Sequence, residues 1–220
     1  MLHELEKFKE YMPMISSMRA KGLEKRHWNA MSKQLGFEGT DTQSMTLAHL
    51  IEMKLHEGPR LDVIKAVCEV AMREWAIKST LDTLEAELKN VEFTVVKYKE
   101  ASGSFMLKGL EELMLCFEEY TIKVMSLKTN AFSKPFAERI VKAEREFRTV
   151  VDVLDEWIKT QNSWIYLEPI FSQKDLAKQM MREASKFNQV DNIYRKEMNI
   201  IRIDSNVNKY CRREHILTSL

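Results

Sequence analysis

Two of the five histidines, the three cysteines and several carboxylates are the residues of this sequence whose types and spacing could do chemistry. His49 and His56 lie seven residues apart, a spacing that could place both imidazoles on one helical face as metal ligands. Gly58 and Pro59 interrupt that helix shortly after His56, because proline cannot donate the helical hydrogen bond. No cysteine or carboxylate completes a convincing ligand set, so we predict no metal site.

The three cysteines, Cys68, Cys116 and Cys211, are odd in number and far apart. A disulfide-stabilised domain has denser cysteines, so we interpret these as reduced thiols in a cytosolic compartment. Cys68 and Cys116 also fall within apolar helical stripes, where a free thiol behaves as a small hydrophobe. Glu112 and Glu119 share roughly one helical face, but lysines and acidic residues interleave elsewhere, as on solvated helix surfaces. We predict neither a nucleophile nor an acid–base pair.

Nucleotide-binding and hydrolase motifs are absent from the sequence. A P-loop requires a Gly-Lys pair, which occurs nowhere in the chain, and a dinucleotide fingerprint requires closely spaced glycines. There is no Gly-X-Ser-X-Gly elbow and no His-Glu-X-X-His helix. We predict a non-enzymatic segment without catalytic, cofactor-binding or metal-binding residues.

The composition favours long helices. The 220 residues include 45% hydrophobic and 30% charged side chains, but only six glycines and four prolines at which the chain can turn. A net charge of +1 argues against nucleic acid as a partner, because phosphates require a clustered basic excess. No apolar run approaches the roughly 18 residues that would cross a membrane, and the start lacks a signal peptide. We expect a soluble intracellular protein.

The apolar spacing in the first quarter of the chain predicts short helices. Residues 2–19 have helical apolar spacing, which Pro13 is expected to end or kink. A second helix follows and is closed by Gly36 in the left-handed conformation. Residues 37–45 form a polar loop, after which Thr46 caps a brief third helix.

Two longer helices dominate the remainder. Pro59 opens an apolar stripe of about 30 residues, roughly 45 Å long, and Pro135 opens a second stripe of similar length. We expect Pro169 to end that second helix. Ser172 followed by Asp175 resembles a capping box for the next helix.

Residues 93–108 carry the only convincing β signal. FTVVKY and SFMLKG flank the short polar turn KEASG, a pattern that predicts a β-hairpin. An isolated hairpin is marginal in water, so it must pack against the helices. The predicted fold is mainly α, an elongated bundle of long antiparallel helices with one small hairpin. It forms one domain over residues 1–220, with possible sub-bundles 1–57 and 58–220.

The stretch WIYLEPIF places three aromatic side chains around one proline at the end of a long helical pattern. The tryptophans, including Trp75, each sit within such a pattern, so we interpret them as core anchors. Methionines with helical spacing, such as Met125, Met180 and Met181, are interpreted as core filling. We predict that the aromatic surface anchors one end of a stiff lever arm. The candidates for structural or docking roles are Trp28, Trp157, Trp164, Tyr166, Pro169 and Phe171.

Several stretches, in order along nearly the whole chain, resemble the linker region of dynein heavy chains, the segment before the AAA+ motor ring. They are KRHW (25–28), TLAHLIEMKLHE (46–57), VEFTVVKYKEASGSFMLKG (91–109), VMSLKTNAFSKPF (124–136), VLDEWIKTQNSWIYLEPIFSQKDL (153–176) and FNQVDNIYRKEM (187–198). YLEPIF, followed by a serine and an acidic residue, resembles the axonemal branch. The chain departs from the family pattern at two places, since it lacks the Asn-Pro often found before Arg-His-Trp and carries an unusual Gly-Pro.

This resemblance implies a mechanical role. In dyneins, ATP and magnesium bind in the AAA+ ring, which lies outside this fragment, and the linker bends and straightens across that ring. The implied partners are the ring and the remaining linker of the same heavy chain, and indirectly microtubules and other dynein subunits. The implied location is the cytoskeleton of a cilium or flagellum. No catalytic residue transfers to this sequence.

Two functions remain open from the residues. The first is a linker whose bending concentrates at a seam, for which Gly58–Pro59 and the turn around Pro169 are the candidates. The alternative is a helical scaffold or adaptor that binds partner helices. A three-helix repeat near 100 residues would favour the scaffold, and the hairpin fits it poorly.

Overall fold

The computed structural model describes residues 2–37, 46–100, 102–214 and 216–219. Most of the predicted polar loop at 37–45 lies outside the described residues. The helices are α1 (Leu2–Met18), α2 (Lys25–Leu35), α3 (Leu47–Glu52), α4 (Gly58–Asn90), α5 (Leu110–Lys128), α6 (Ala137–Phe171), α7 (Lys174–Gln179), α8 (Met181–Ile203), α9 (Val207–Cys211) and α10 (Ile216–Ser219). Strands β1 (Thr94–Lys97) and β2 (Phe105–Lys108) pair antiparallel, and a 3-10 turn (Lys134–Phe136) precedes α6. The predicted mainly α fold with one small β-hairpin is confirmed.

The chain forms two compact units. The first comprises residues 1–80 and 130–136, and the second comprises residues 81–129 and 137–220. Their boundary falls within α4, away from the predicted division after residue 57, and that division into sub-bundles stays a prediction.

The first unit is built from α1, α2, α3 and the first part of α4. Gly36 ends α2 with a φ of 70°, and the Thr46 hydroxyl accepts a hydrogen bond from the His49 amide at the start of α3. Both predicted caps are therefore confirmed. Trp28 is 8% exposed, as expected of a core anchor. The core consists of Met14, Trp28, Met31, Leu50, Leu55, Ile64 and Cys68.

Glu74 on α4 forms hydrogen bonds with both residues of the Arg-His pair in the KRHW stretch. Its Oε2 lies 3.0 Å from Arg26 Nε and 3.0 Å from His27 Nε2. The Glu24 amide donates to His27 Nδ1 at 3.0 Å, so the ring hydrogen is on Nε2 and is donated to Glu74. Because Glu74 is only 8% exposed, these hydrogen bonds are shielded from water and hold α2 against α4.

The second unit contains the hairpin and the helices α5 and α6, which pack against each other. α5 and α6 run antiparallel, with the Phe117 and Phe147 ring centroids 6.0 Å apart. β1 pairs with β2 so that Val95 lies opposite Leu107. α6 spans 35 residues, about 50 Å, so the predicted second long helix is confirmed.

Prolines expected to end helices lie inside them at two positions, although the alternative that Pro13 kinks α1 stays a prediction. α1 continues past Pro13 to Met18, because Met14, on the turn after the proline, is fully buried and holds the helix in the core. α6 likewise continues past Pro169 to Phe171. The predicted capping box at Ser172 is also wrong, since α7 begins at Lys174 and the Ser172 hydroxyl donates back to Glu168 at 2.9 Å.

Some side chains predicted to be buried are exposed. Trp75 is 39% exposed; Lys21 Nζ lies 5.0 Å from the centroid of its ring, and Gly22 packs closely against its Cβ. Met125, Met180 and Met181 are 48%, 42% and 74% exposed. Met180 and Met181 lie at the break between α7 and α8, and Met125 lies outside the side of α5 that packs on α6, so helical spacing alone did not indicate burial.

Candidate functional site: the hairpin clamp

The outer edge of β2 is held by a side chain of α6. Leu107 and Val95 form a non-hydrogen-bonded pair, so the Leu107 N–H and C=O point away from β1. The Gln161 amide satisfies both groups, accepting from Leu107 N at 2.7 Å and donating to Leu107 O at 2.8 Å. Gln161 is 6% exposed, so it replaces the missing third strand out of contact with water.

Tyr194 on α8 completes this attachment. Its hydroxyl donates to the Phe105 carbonyl at 3.1 Å, the next outward-facing group along β2. The Tyr194 ring stacks on Trp164 with centroids 4.2 Å apart and planes 10° from parallel. Burial raises the pKa of Tyr194, so the hydroxyl stays a donor. We call Gln161, Trp164 and Tyr194 the hairpin clamp.

Trp164 is held both by the stacking of its ring and by a hydrogen bond from its indole nitrogen. It is 1% exposed, and its indole N–H donates to Asp191 Oδ1 at 2.8 Å. The other oxygen of Asp191 accepts from Arg195 Nε at 2.8 Å. Trp157, which is fully buried, contacts Tyr194 edge-on with centroids 5.7 Å apart. The clamp therefore joins β2, α6 and α8 through both apolar and directional contacts.

Pro169 connects the end of α6 to the hairpin. A proline within a helix has no N–H, so the carbonyl four residues earlier, that of Ile165, lacks its helical donor. The Tyr98 hydroxyl, just after β1, lies 3.4 Å from this carbonyl and donates to it. The Tyr98 ring also contacts Trp164, with centroids 5.0 Å apart. The proline thus frees an acceptor that the hairpin uses.

A buried carboxylate fixes the hairpin loop to the same end of α6. Glu168 is 6% exposed and accepts hydrogen bonds from Lys99 Nζ and from the Ser172 hydroxyl, each at 2.9 Å. Burial by itself would raise the pKa of Glu168, but the bonds from Lys99 and Ser172 outweigh it and hold the pKa below its usual value. The pKa of Lys99 is raised mainly by its bond to Glu168.

The base of the hairpin is tied to the segment between α8 and α9. The Phe93 amide donates to Ser205 O at 2.8 Å, and the Val207 amide donates to Val91 O at 3.1 Å. Glu92 and Asn206 form an isolated antiparallel bridge between these two segments. The hairpin is consequently attached at its base, along its edge and at its loop.

Three of the residues singled out in the sequence meet at this site, and five do not. Trp157, Trp164 and Pro169 lie within or beside the clamp. Phe171 stacks on Phe187 nearby, with ring centroids 5.1 Å apart, whereas Tyr166 is 72% exposed. Trp28, Gly58 and Pro59 belong to the first unit. Docking and hinge roles for these residues stay predictions.

Gln161, Tyr194, Tyr98 and Glu168 were missed by sequence reasoning. A signal for Gln161 was present, because the apolar spacing from Trp157 to Trp164 passes through position 161. A polar residue at a core position of a helix indicates a buried hydrogen-bonded role. The partners of Tyr98 and Glu168 lie 67 and 69 residues away, a separation for which one sequence carries no signal.

Chemistry-bearing groups do not cluster in the described ranges. There, no three His, Cys, Asp or Glu side chains are arranged to hold a metal ion. Cys68, Cys116 and Cys211 are free thiols, and burial raises the pKa of Cys68 to about 11 and that of Cys211 to about 12. No helix within the described residues combines the length and apolarity needed to cross a bilayer.

Known proteins similar to this chain are dynein heavy chains. A family model described as dynein heavy chain, N-terminal region 2, matches residues 1–220. Mouse dynein axonemal heavy chain 1 is 32% identical over 216 residues, which is 98% of this chain and 5% of the relative. Human dynein axonemal heavy chain 3 is 30% identical over 195 residues, 89% of this chain and 5% of the relative. Human dynein axonemal heavy chain 10 is 26% identical over 219 residues, 99% of this chain and 5% of the relative. The chain thus spans a small fraction of the length of these relatives.

Replacing Gln161 tests the clamp. Gln161→Ala leaves the buried Leu107 N–H and C=O without partners, and we expect it to lower the free energy of unfolding of the second unit by about 3 kcal/mol. Asn162→Ala, a change of the exposed neighbouring amide, is the control and should stay within about 0.5 kcal/mol of the unchanged chain. Urea unfolding followed by tryptophan fluorescence measures both variants, and equal stability of the two would contradict the clamp.

The lowered pKa of Glu168 predicts a pH dependence. Its ion pair contributes stability that is present above the unfolded-state pKa of 4.5 and is lost as the pH falls through the lower folded-state pKa. We expect the free energy of unfolding to fall less steeply in Glu168→Gln than in the unchanged chain between about pH 6 and pH 3. Denaturant titrations at a series of pH values measure this difference, and identical slopes for the two chains would refute it.

Proposed function

Since this chain belongs to the dynein heavy chain family, and its match lies in the N-terminal region 2, we propose that it is a mechanical linker segment. It carries no catalytic step itself and transmits motion generated by ATP in an AAA+ ring elsewhere in the same polypeptide. The ring, with its ATP and magnesium, and the remaining linker are the direct partners in this proposal. Microtubules and other dynein subunits are reached through the parent motor.

The observation that carries the proposal is the attachment of the hairpin to α6 and α8. Gln161 and Tyr194 satisfy the outer edge of β2 with hydrogen bonds of 2.7 to 3.1 Å between largely buried groups. Hydrogen bonds in such surroundings are directional and costly to leave unmade, so the second unit resists internal sliding under load. A segment that transmits force needs this resistance, whereas a segment that only displays a binding surface does not.

The location follows from the relatives in the same way. The similar heavy chains are named as axonemal, so we infer that the parent motor works in the axoneme of a cilium or flagellum. The rival function is a helical scaffold that binds partner helices. The scaffold predicts that damage to the clamp leaves motor movement intact.

Bending of the linker requires a seam, and two positions are proposed. At Gly58 the φ is +29°, and Lys54 in the preceding turn has a φ of 52°, so the entry into α4 uses left-handed backbone. At Pro169 the missing helical hydrogen bond weakens the last turn of α6. We propose that one of these positions absorbs the change in backbone angles when the linker bends.

A motor assay on the full-length heavy chain tests the linker function. Trp164→Ala empties the centre of the clamp and removes about 3–5 kcal/mol of packing from the second unit. We expect microtubule gliding to slow sharply while the basal ATPase rate of the ring changes far less, because the ring's own residues are unchanged. Asn162→Ala should affect neither quantity. Unchanged gliding by Trp164→Ala would favour the scaffold, and parallel loss of gliding and ATPase would contradict a purely mechanical role.

The variant Pro169→Ala tests the proposed seam at Pro169. Pro169→Ala supplies an N–H that competes with Tyr98 for the Ile165 carbonyl, so the end of α6 becomes a more regular helix. We expect a change in gliding speed or stroke length that exceeds any change in basal ATPase. Equal loss of both activities would count against a seam at this position.

A further inference from the structure

α5 exposes a row of side chains that nothing in the described chain covers. Leu115, Glu118, Ile122 and Met125 follow one another at spacings of three and four, so they form one stripe along the helix. Leu115 is 57% exposed, Ile122 is 66% exposed and Met125 is 48% exposed. The stripe is separate from the side of α5 that packs on α6, where Phe117 is buried.

A groove runs beside this stripe. It lies between α5 and α6, has a volume of about 410 Å³ and is bounded on the α5 side by Ile122 and on the α6 side by Val151. Charged groups border it, with Glu118 on one wall and Arg148 on the other. A ridge of apolar residues next to a groove of this kind is the shape that an amphipathic helix covers.

The charges on α5 specify the chemistry of that helix. Glu111, Glu118 and Glu119 are exposed on α5 and, in the described part of the chain, form no salt bridge, so they outnumber Lys123, the exposed basic residue beside Ile122. A helix seated on Leu115 and Ile122 would bring its flanking positions beside these carboxylates. Lysine or arginine at those positions would be attracted, and acidic residues would be repelled.

We propose that the α5 stripe docks a basic amphipathic helix of the same heavy chain, located outside residues 1–220. The match to mouse dynein axonemal heavy chain 1 covers 5% of that protein, so heavy chains of this family supply many further segments in the same polypeptide. A segment tethered in this way binds with a high effective concentration, so a modest surface suffices. The inference rests on membership of the family and does not require that the segment act as a lever.

Cysteine labelling in the purified full-length heavy chain measures whether Ile122 is covered. We compare Ile122→Cys with Ile203→Cys, an isoleucine of α8 that is 79% exposed and serves as the matched control. Mass spectrometry of the labelled peptides separates each site from the natural cysteines. At low salt we expect maleimide to label Ile122→Cys at least about tenfold more slowly than Ile203→Cys, because the docked helix excludes the reagent.

Salt and charge reversal test the basic character of the occupant. High salt should narrow the difference in labelling rate, since screening weakens exposed ion pairs. Adding Glu118→Lys to Ile122→Cys should raise its labelling rate, whereas adding Glu183→Lys, at an exposed position on α8, should not. A photo-reactive amino acid at position 122 then identifies the occupant by cross-linking.

A cross-link to a lysine- or arginine-flanked helix of the same polypeptide supports the proposal. The proposal is overturned if positions 122 and 203 are labelled at equal rates, or if Glu118→Lys does not change the labelling rate at position 122. A cross-link to another polypeptide would also overturn it. These readouts need no movement or ATP hydrolysis. A heavy chain that fails the gliding test can therefore still pass this one, and the reverse also holds.

Discussion

The unpaired edge of a two-stranded sheet is the constraint around which the second unit is organised. Each backbone N–H and C=O on such an edge needs a partner when water is excluded, and a chain dominated by helices has no third strand to offer. Here a glutamine amide takes that place, because its oxygen and nitrogen reproduce the acceptor and donor of a peptide group. The register of the hairpin, the rotation of α6 about its axis and the position of α8 are all coupled through this one residue and its neighbour Tyr194.

Each unit contains a polar hub of this type within an otherwise apolar core. In the first unit the Glu74 carboxylate accepts hydrogen bonds from Arg26 and His27. In the second unit the Gln161 side chain accepts a hydrogen bond from the Leu107 amide. Apolar contacts alone allow helices to shift by small steps, since they are non-directional. Hydrogen bonds between buried groups select one geometry and make the alternatives expensive. In the proposed linker, this combination confines bending to a seam, either Gly58–Pro59 or the last turn of α6 at Pro169.

Sequence reasoning succeeded where local patterns decide the structure. The hairpin, the starts of α4 and α6, and the caps at Gly36 and Thr46 follow from turn chemistry and periodicity that a short window contains. It failed in ending α6 at Pro169 and in allowing Pro13 to end α1, because both helices continue past their prolines. The clamp lay partly within reach, since a glutamine at a core position of α6 was visible, but its partner on β2 is 54 residues away. Contacts over such separations depend on how the elements pack, which periodicity does not encode.

The pairing of Pro169 with Tyr98 through the Ile165 carbonyl has an evolutionary consequence. In a relative that carries any other residue at the proline position, the backbone N–H of that residue donates to the carbonyl four residues earlier. A phenylalanine in place of the tyrosine then leaves that carbonyl paired. In a relative that keeps the proline, loss of the tyrosine hydroxyl leaves the carbonyl at the position of Ile165 without a hydrogen-bond donor. The two positions are therefore expected to vary together across the lineage, although 71 residues of chain separate them.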